Sequence, residues 1–416
     1  MTCRSDFLRI LEQRGYLHQA TNLEGLDARL EKGPITAYCG FDPTGDSFHV
    51  GNLVQIMQLR RLQQAGGKPI LLLGGATARV GDPSDKNAMR PMLTEERLAQ
   101  NISGLRGIFG QFLRFDDSPT GAVIVDNADW LLGLHHLDFL TRIGRHFTLN
   151  RLITFDFIRR RLEAEQPMSI LEMGYSLLQA YDFAHLWKEM GCELQLCGAD
   201  QWANAVCGIE LARKLHDVEL FATTTPLVTT ADGVKMGKTA QGAVWLRADR
   251  LAPYDYWQFW RNVDDRDVGR FLRLFTDLPL DEIARLEALG GAEINEAKKI
   301  LAREATTMCH GQEAAQAAAE TARQTFEQGG AGEDLPRLAL SAAEFGDGLA
   351  LVEALVRLGL CASKGEARRL VSGGGAYLGG QAVADEGRQI VKADLDGQGQ
   401  VKLSAGRKRH GILSVA

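Results

Sequence analysis

The sequence lacks the short motifs that mark several large enzyme classes. It has no Gly-x-Ser-x-Gly elbow, no His-Glu-x-x-His zinc motif and no Walker motif with the full spacing Gly-x-x-x-x-Gly-Lys-Ser/Thr. A serine hydrolase of the elbow type, a zinc protease and a Walker-type NTPase therefore have no support. Any chemistry must come from groups that align substrates and stabilise charge, since no protein nucleophile is marked.

The sequence also lacks a paired-cysteine pattern. Its seven cysteines are odd in number and include no Cys-x-x-Cys, which indicates reduced thiols rather than a disulfide framework or a zinc site. Cys192 and Cys197 could share a metal, but neither has a histidine partner nearby, and we expect no protein metal site. The cysteines are Cys3, Cys39, Cys192, Cys197, Cys207, Cys309 and Cys361.

No apolar run is long enough for a membrane span; the best, Pro69 to Leu73, is too short. The first residues carry Asp6 and Glu12 and lack an apolar core with a small-residue cleavage site. We therefore expect a domain helix there rather than a targeting segment, and a cytoplasmic location.

Length and charge indicate several domains with different partners. A chain of 416 residues favours two or three domains. Residues 349–416 carry a charge of +4 and the remainder −10, so a polyanion is expected to contact the tail. We predict a first domain over 1–250, a helical domain over 251–328, a linker rich in glycine, alanine and acidic residues over 329–348, and a small tail domain over 349–416.

Apolar strands alternate with helices through the first 215 residues. Strands are predicted at Ile35–Gly40, Pro69–Leu73, Ala122–Val125 and Glu193–Leu196, and helices at about 47–65, 94–113 and 200–215. This alternation predicts an α/β domain with a doubly wound, Rossmann-like parallel sheet that binds ligands at the carboxyl ends of its strands. One helix is predicted over Asn295–Gln328, and two more at 349–358 and 363–372 in a small α+β tail.

The first candidate motif, His49-Val50-Gly51-Asn52, opens a predicted helix after a turn rich in glycine, proline and aspartate. A helix N-terminus offers unpaired N–H groups and partial positive charge, which suit a phosphate. Gly51 removes a side chain where a nucleotide must approach closely, and His49 and Thr44 can donate hydrogen bonds to phosphate oxygens. The alternative is an ordinary helix start with a surface histidine.

The second candidate motif, Lys235-Met236-Gly237-Lys238-Thr239, lies in a glycine-flanked loop. Its two ammonium groups could close over a triphosphate and neutralise charge that grows on leaving pyrophosphate. A solvated hairpin is the alternative for a lone Lys-x-x-Lys. The presence of both motifs, in this order, favours the nucleotide site.

Three other polar groups follow predicted strands or share a helix. Lys86 and Arg90 come after a glycine-rich run beyond the second strand, in a ligand site or a surface loop. Tyr175, Gln179 and Asp182 share one helical face; their stripe faces either solvent or a ligand. Gly198-Ala199-Asp200-Gln201-Trp202 ends another strand.

Together these motifs closely resemble bacterial tyrosyl-tRNA synthetases, which are class I aminoacyl-tRNA synthetases. The likeness rests on Tyr38 to Thr44, His49 to Asn52, Gln179 to Asp182, Gly198 to Trp202 and Lys235 to Thr239, and extends over nearly the whole chain. It implies that tyrosine and ATP form tyrosyl-adenylate, and that tyrosine then moves to the 3′ end of tRNA.

The resemblance also implies roles for the matching residues. Catalytic groups would be His49, Lys86, Arg90, Lys235, Lys238 and Thr239. Tyrosine would be bound by Tyr38, Asp82, Tyr175, Gln179, Asp182 and Gln195, with Tyr38 and Asp182 at the phenol. ATP would be bound by Cys39, Gly40, Asp42, Thr44, His49, Gly51, Asn52, Gly198, Asp200, Gln201 and Lys238. Magnesium would enter with ATP.

Three positions in the two motifs depart from the family pattern. Asn52 stands where the first motif usually ends in histidine, and Gly237 and Thr239 stand where the second often has serine. Asn52 can still donate a hydrogen bond and Thr239 can replace a hydroxyl, so activity is expected.

The tail resembles the RNA-binding module named after a ribosomal small-subunit protein, with Lys364, Arg368, Arg369, Arg407, Lys408 and Arg409 as its candidate contacts to RNA. An ordinary α+β appendage is the alternative.

The family resemblance implies a homodimer that binds tRNA. Two other functions stay open: a non-catalytic RNA-binding scaffold, and a related enzyme that activates tryptophan or transfers nucleotides. Asp182 paired with Tyr38 favours a phenol over an indole.

Overall fold

In a computed structural model of the chain, two compact units span residues 1–310 and 311–416. The structure describes residues 3–84, 93–239, 242–326, 335–406 and 409–415; the side chains of residues 238, 239, 325 and 326 are not described. The predicted boundary between residues 250 and 251 falls inside the first unit, and the predicted linker inside the second. The division into a catalytic domain, a helical domain and a tail stays a prediction.

The first unit is built on a six-stranded sheet. Its order is β1-β6-β5-β2-β3-β4, with β1 antiparallel to β6 and the other neighbours parallel. The predicted doubly wound α/β sheet is thus confirmed. The strands are β1 (Gln19–Ala20), β2 (Thr36–Phe41), β3 (Lys68–Leu73), β4 (Val123–Asp126), β5 (Cys192–Gly198) and β6 (Phe221–Thr225).

Helices pack around this sheet and continue after it. They are α1 (Asp6–Arg14), α2 (Leu23–Glu31), α3 (Val50–Gln64), α4 (Glu95–Phe112), α5 (Ala128–Leu131), α6 (His136–Arg142), α7 (Leu149–Leu152), α8 (Asp156–Glu163), α9 (Ile170–Met190), α10 (Trp202–His216), α11 (Pro253–Arg261), α12 (Val268–Phe275), α13 (Leu280–Glu287) and α14 (Ile294–His310). A small antiparallel pair, β7 (Lys238–Thr239) and β8 (Gly242–Ala243), follows the sheet. None of the helices among the described residues combines the length and apolar character that crossing a bilayer requires.

The chain reverses its winding direction between β2 and β5. From β2 the sheet grows through β3 to β4 on one side, and the chain then returns to place β5 on the other side of β2. In such sheets the carboxyl ends of the strands at the reversal leave a crevice. Tyr38 on β2 is paired with Gln195 on β5 at this point, so their side chains start the candidate site.

Helix α3 is held at its carboxyl end by buried charge. Arg60 and Arg61 both pair with Asp277 in the connection between α12 and α13, and Arg61 is only 2% exposed. The two guanidinium groups depress the pKa of Asp277, against the opposing effect of its burial. Since removing Asp277 would leave the buried Arg61 without its charged partner, this contact anchors the carboxyl end of α3.

One predicted helix is wrong. The single helix expected over Asn295–Gln328 is two helices, α14, which ends at His310, and α15 (Gln312–Phe326). Gly311 between them has a φ of +88°, in the left-handed region that glycine tolerates and a continuing α-helix does not use. The alanine-rich composition on both sides concealed this break.

The second unit contains α15 and a compact tail. Its five-stranded sheet has the order β12-β11-β14-β15-β9, a short pair joins β10 and β13, and the core includes Leu355, Ala367 and Leu403. The predicted tail helices are found as α17 and α18. The elements are β9 (Arg337–Leu340), α16 (Ala342–Phe345), β10 (Leu349–Ala350), α17 (Leu351–Arg357), α18 (Lys364–Ser372), β11 (Ala376–Leu378), β12 (Gln381–Val383), β13 (Gln389–Ile390), β14 (Gln400–Ala405) and β15 (Arg409–Val415).

Candidate active site

A cavity of about 740 Å³ lies at the carboxyl ends of β2 and β5. It brings together residues that are up to 198 positions apart in the chain, because the ends of the strands, the start of α3, one face of α9 and the segment around Lys235 meet there. Seventeen of the residues expected at the site line this cavity: Tyr38, Cys39, Gly40, Asp42, Thr44, His49, Gly51, Asn52, Asp82, Tyr175, Gln179, Asp182, Gln195, Gly198, Asp200, Gln201 and Lys235.

His49 is the N-cap of α3, so the first candidate motif lies at the start of this helix. The Gly51 N–H donates to His49 Nδ1 at 3.0 Å, and the His49 N–H donates to Asn52 Oδ1 at 3.2 Å. Because Nδ1 accepts, the proton of a neutral His49 ring is on Nε2. Asn52, the departure from the family pattern, is therefore part of the cap that orients His49.

The two candidate motifs meet at this helix end. A Cβ added to Gly51 would lie 2.4 Å from the backbone oxygen of Met236, and one on Gly237 would lie 2.4 Å from His49 Nδ1. Gly237 also has a φ of +99°. From the sequence we expected glycine at position 51 because a nucleotide must approach closely there. The structure gives a second reason, because the backbone of the lysine loop (residues 229–239) also leaves no room for a side chain.

The segment after the lysine loop fastens it to the same helix end. The Val50 N–H donates to the Val244 oxygen at 2.9 Å, and the Val244 N–H donates to the Gly237 oxygen at 3.1 Å. Farther along, Arg250 lies over the Trp245 ring at 4.4 Å and pairs with Asp46 in the turn before α3. The N-terminal end of α3 (residues 49–52, the helix tip) and the lysine loop therefore face one cavity.

A buried carboxylate lies deep in the cavity. Asp182 on α9 is 1% exposed, and its oxygens accept from Trp130 Nε1 at 2.8 Å and Asn127 Nδ2 at 3.0 Å. Burial raises the pKa of Asp182 to about 7, although both donors oppose this shift. A solvent-facing stripe, one interpretation of Tyr175 to Asp182, is wrong, because Tyr175 and Asp182 are both buried.

Two buried polar atoms near this carboxylate lack partners. The Tyr38 hydroxyl and Gln195 Oε1 make no hydrogen bond within the described part of the chain. Asp182 is among the charges that, after burial, raise the pKa of Tyr38 well above its ordinary value, so the two groups are neighbours. Because buried polar groups are normally satisfied, these atoms indicate a polar ligand.

A second network fixes the cavity wall beside the turn after β2. The Tyr175 hydroxyl donates to Asp42 Oδ2 at 2.9 Å, and the Thr77 hydroxyl donates to Asp42 Oδ1 at 2.8 Å. Asn127 Nδ2 also reaches Thr77 Oγ1, at 3.1 Å. Burial and Asp42 raise the pKa of the Tyr175 phenol, so it remains a neutral donor.

At the carboxyl end of β5, Gln201 joins two carboxylates. Its Nε2 donates to Asp82 Oδ2 at 2.6 Å and to Asp200 Oδ2 at 2.8 Å, while its Oε1 accepts from Asn204 Nδ2 at 3.1 Å. This acidic edge suits ammonium and ribose hydroxyl groups, which donate hydrogen bonds.

Some predicted site residues cannot be placed. Lys86 and Arg90 lie outside the described residues, as do Arg407 and Lys408 of the tail, and only the backbone of Lys238 and Thr239 is described, in β7. Lys364, Arg368 and Arg369 are exposed on α18. Lys364 pairs with Glu353 at 3.2 Å, and Arg409 with Glu366 at 3.1 Å.

Several residues that shape the cavity were missed. Asn127 and Trp130 hold Asp182, and Thr77 holds Asp42. Asn127 could have been found, because it lies two residues after the predicted strand that ends at Val125, where ligand-binding groups collect. All seven cysteines are free and buried, and the described residues contain no group of three or more His, Cys, Asp or Glu side chains that could hold a metal.

A neighbouring cavity of about 710 Å³ shares Ala199 and Asp200 with the central one. Its wall includes Trp202 and the exposed Arg151 and Arg160. It therefore joins a basic surface to the edge of the central site.

Known proteins match this chain over nearly its whole length. Residues 30–327 match the family model described as tRNA synthetases class I (W and Y). The tyrosine–tRNA ligase of Rhodospirillum rubrum is 57% identical, over 99% of this chain and 98% of the relative, and that of Novosphingobium aromaticivorans is 55% identical, over 99% of each. A C-terminally truncated mitochondrial tyrosyl-tRNA synthetase of Aspergillus nidulans has a similar structure, with a TM-score of 0.71, 27% identity, and coverage of 78% of this chain and 95% of the other.

Proposed function

The chain belongs to the class I tRNA synthetases for tryptophan and tyrosine, and on that premise we propose how its cavity serves the tyrosine–tRNA ligase activity of its relatives. The enzyme converts tyrosine and ATP to tyrosyl-adenylate and pyrophosphate, and then transfers the tyrosyl group to tRNA. The observation that carries the proposal is that the helix tip and the lysine loop share one cavity with the buried Tyr38 and Asp182.

Tyrosine binds with its phenol between Tyr38 and Asp182, where the unsatisfied Tyr38 hydroxyl and the carboxylate can exchange hydrogen bonds with it. Its ammonium group lies among Tyr175, Gln179 and Asp82, and Gln195 helps to place its carboxylate. An indole has no hydroxyl to offer to this pair, so a tryptophan substrate would leave buried polar groups unpaired.

ATP lies along the helix tip, with Cys39, Gly40, Asp42, Thr44, Gly51 and Asn52 around it and its ribose near Gly198, Asp200 and Gln201. The substrate carboxylate attacks the α-phosphorus, an acyl phosphate bond forms, and pyrophosphate leaves. His49 Nε2 donates to phosphate oxygens. Lys235, with Lys238, Lys86 and Arg90, neutralises the charge that moves onto pyrophosphate, and the Thr239 hydroxyl donates a hydrogen bond to it. Magnesium enters on the ATP phosphates.

Pyrophosphate exchange tests this function. Pure protein with magnesium, ATP and labelled pyrophosphate should form labelled ATP only when tyrosine is added, because adenylate formation is reversible. Tryptophan and phenylalanine serve as matched substrates. Exchange driven by tryptophan would indicate a tryptophan-activating enzyme. No exchange with any amino acid would favour a non-catalytic RNA-binding scaffold.

The neighbouring cavity is where we propose that the 3′ end of tRNA enters. It opens onto Asp200, at the ribose end of the adenylate, and its exposed Arg151 and Arg160 can pair with RNA phosphates. The tail supplies a second contact through the exposed Lys364, Arg368 and Arg369 and through Arg409, with Arg407 and Lys408 beside it in sequence.

Replacing Arg160 with alanine is expected to raise the KM for tRNA about tenfold, because one phosphate contact is lost, while tyrosine-dependent pyrophosphate exchange stays unchanged. Charging of tRNA at several salt concentrations measures this. The matched control is Arg159→Ala, since Arg159 is an exposed neighbour on α8 that does not line the cavity. Equal effects of the two substitutions would remove Arg160 from the tRNA path.

We also propose that two copies of the chain form a dimer in the cytoplasm. Within the described residues, eleven large hydrophobic side chains are exposed, and eight of them lie between Leu132 and Leu171. Such concentrated apolar exposure is typical of a surface that a partner covers. The eight are Leu132, Leu137, Leu140, Leu149, Ile153, Leu162, Ile170 and Leu171.

A double substitution, Leu137→Asp with Leu149→Asp, is expected to convert the dimer to monomer, because it places charge in an apolar interface. Sedimentation equilibrium measures the change. The control is Leu227→Asp, at a leucine that is 57% exposed and lies outside this segment. A monomeric unsubstituted protein would refute the dimer.

A further inference from the structure

Asp267 is a buried carboxylate outside the cavity that none of the roles above uses. It ends a short 3₁₀ turn, Asp265–Asp267, directly before α12, and is 2% exposed. Its Oδ2 accepts from the Ala231 N–H at 2.8 Å, and its Oδ1 accepts from Arg270 Nη2 at 2.7 Å. One carboxylate thus connects the start of α12 to the backbone of the lysine loop.

Arg270 extends this connection to a second point of the loop. Its Nη2 also donates to the Thr229 backbone oxygen. Thr229 is in turn bridged to Lys235 across the hairpin, and the Met236 N–H donates to the Val228 oxygen at 2.9 Å. Asp267 and Arg270 therefore hold the strand of the hairpin that lies opposite Lys235.

The outer turn of the same hairpin is held differently. Asp232 pairs with Arg266 at 2.8 Å, but the two side chains are 74% and 62% exposed. Exposed ion pairs contribute little because water screens them, whereas a buried carboxylate that is hydrogen-bonded on both oxygens is costly to disturb. Of these two contacts to the hairpin, the one through the buried Asp267 is therefore the stronger.

We propose that Asp267 and Arg270 are positioning residues for adenylate formation, acting through Lys235. By holding Thr229 and Ala231, they fix the base from which the lysine loop brings Lys235 to the phosphates. This inference rests on the function proposed above for the cavity. Displacing a charge-stabilising group by about 1 Å can cost on the order of 100-fold in rate, so a small shift of this base is sufficient to matter.

The test is Asp267→Asn, which keeps the size of the side chain but removes the charge that holds Arg270. The rate constant for adenylate formation in a single turnover should fall about 10- to 100-fold, with the dissociation constant for tyrosine unchanged. The matched control is Glu287→Gln, because Glu287 on α13 pairs with Arg273 on α12, the helix that also carries Arg270, and no contact of Glu287 with the lysine loop is seen among the described residues.

Arg270→Lys provides a second variant in case Asp267→Asn folds poorly. It keeps a positive charge beside Asp267, but the lysine side chain is one bond shorter, so its nitrogen cannot occupy the position from which Arg270 Nη2 donates to both Thr229 and Asp267. It should show the same loss in rate with tyrosine binding intact. If both variants match Glu287→Gln in rate, or if tyrosine binding falls as much as the rate, the assignment is refuted.

A double-mutant cycle with Lys235→Ala separates positioning from general damage. If Asp267 acts through Lys235, Asp267→Asn should have little further effect on the rate once Lys235 is absent. Fully additive losses would overturn the proposal. Failure of the unsubstituted protein to exchange pyrophosphate would instead refute the proposed function, so the two failures are distinguishable.

Discussion

Replacing Gly51 with alanine is expected to slow adenylate formation about 100- to 1000-fold while tyrosine binding stays nearly intact. The new Cβ would lie 2.4 Å from the Met236 backbone oxygen, which cannot give way unless the lysine loop moves. Alanine is a good helix former, so α3 itself should remain folded. The loss falls on charge stabilisation in the transition state, because Lys235 is carried away from the phosphates and because the His49 ring, 2.8 Å from the new Cβ, is displaced as well.

Single-turnover adenylate formation and equilibrium binding of tyrosine measure the two parts of this prediction. The control is Gly110→Ala, at an exposed position of α4 where an added Cβ meets nothing within 4 Å. It should keep full activity and slightly raise the melting temperature. An active Gly51→Ala enzyme would mean that the helix tip and the lysine loop do not need this close approach during the reaction.

Local signals predicted the parts of the site that depend on neighbouring residues. The apolar run before Gly40, the turn that follows and the capping pair His49 and Asn52 all belong to one short stretch, and the strand, the turn and the start of α3 are found there. Glycine at position 51 was expected for the nucleotide alone, since contact with Met236 joins segments 185 residues apart and is visible only in the fold.

The support of Asp182 could not be predicted for the same reason. Trp130 and Asn127 lie more than 50 positions from it, and no spacing rule connects a strand end to a helix over that distance. The break at Gly311 was missed because the flanking sequence favours helix on both sides. Composition and periodicity thus predicted most helices and strands. The partners of the buried polar groups could be identified only once the order of the strands in the sheet was known.

Asp182→Asn is expected to reduce kcat/KM for tyrosine about 100- to 1000-fold, and that for phenylalanine much less. The substitution removes a charged acceptor for the phenol, and hydrogen bonds to charged groups are worth about 1.5–3 kcal/mol. An amide also has only one acceptor oxygen, whereas Asn127 and Trp130 both donate toward this position, so one of these donors is left unpaired as well. The selectivity for tyrosine over phenylalanine should therefore collapse.

A matched control on the same helix is Glu172→Gln, which removes the charge of another buried carboxylate on α9 that does not line the cavity. Because Glu172 pairs with Arg161, this variant should lose stability but keep its selectivity. Exchange assays with tyrosine and phenylalanine give both ratios. If Asp182→Asn keeps the selectivity of the unsubstituted enzyme, the phenol is recognised by other groups.

The raised pKa of Asp182, about 7, adds a pH dependence with a definite sign. The folded-state pKa is above the unfolded value, so the stability that Asp182 contributes is present below about pH 4 and is lost as pH rises toward 7. Tyrosine binding should change in the opposite direction, because the phenol donates best to the ionised carboxylate. Below pH 7 the affinity for tyrosine should fall by up to about tenfold per pH unit. Titrations of tyrosine binding between pH 5.5 and 8.5 should show this slope in the unsubstituted protein and a flat profile in Asp182→Asn; equal slopes would assign the titration to another group.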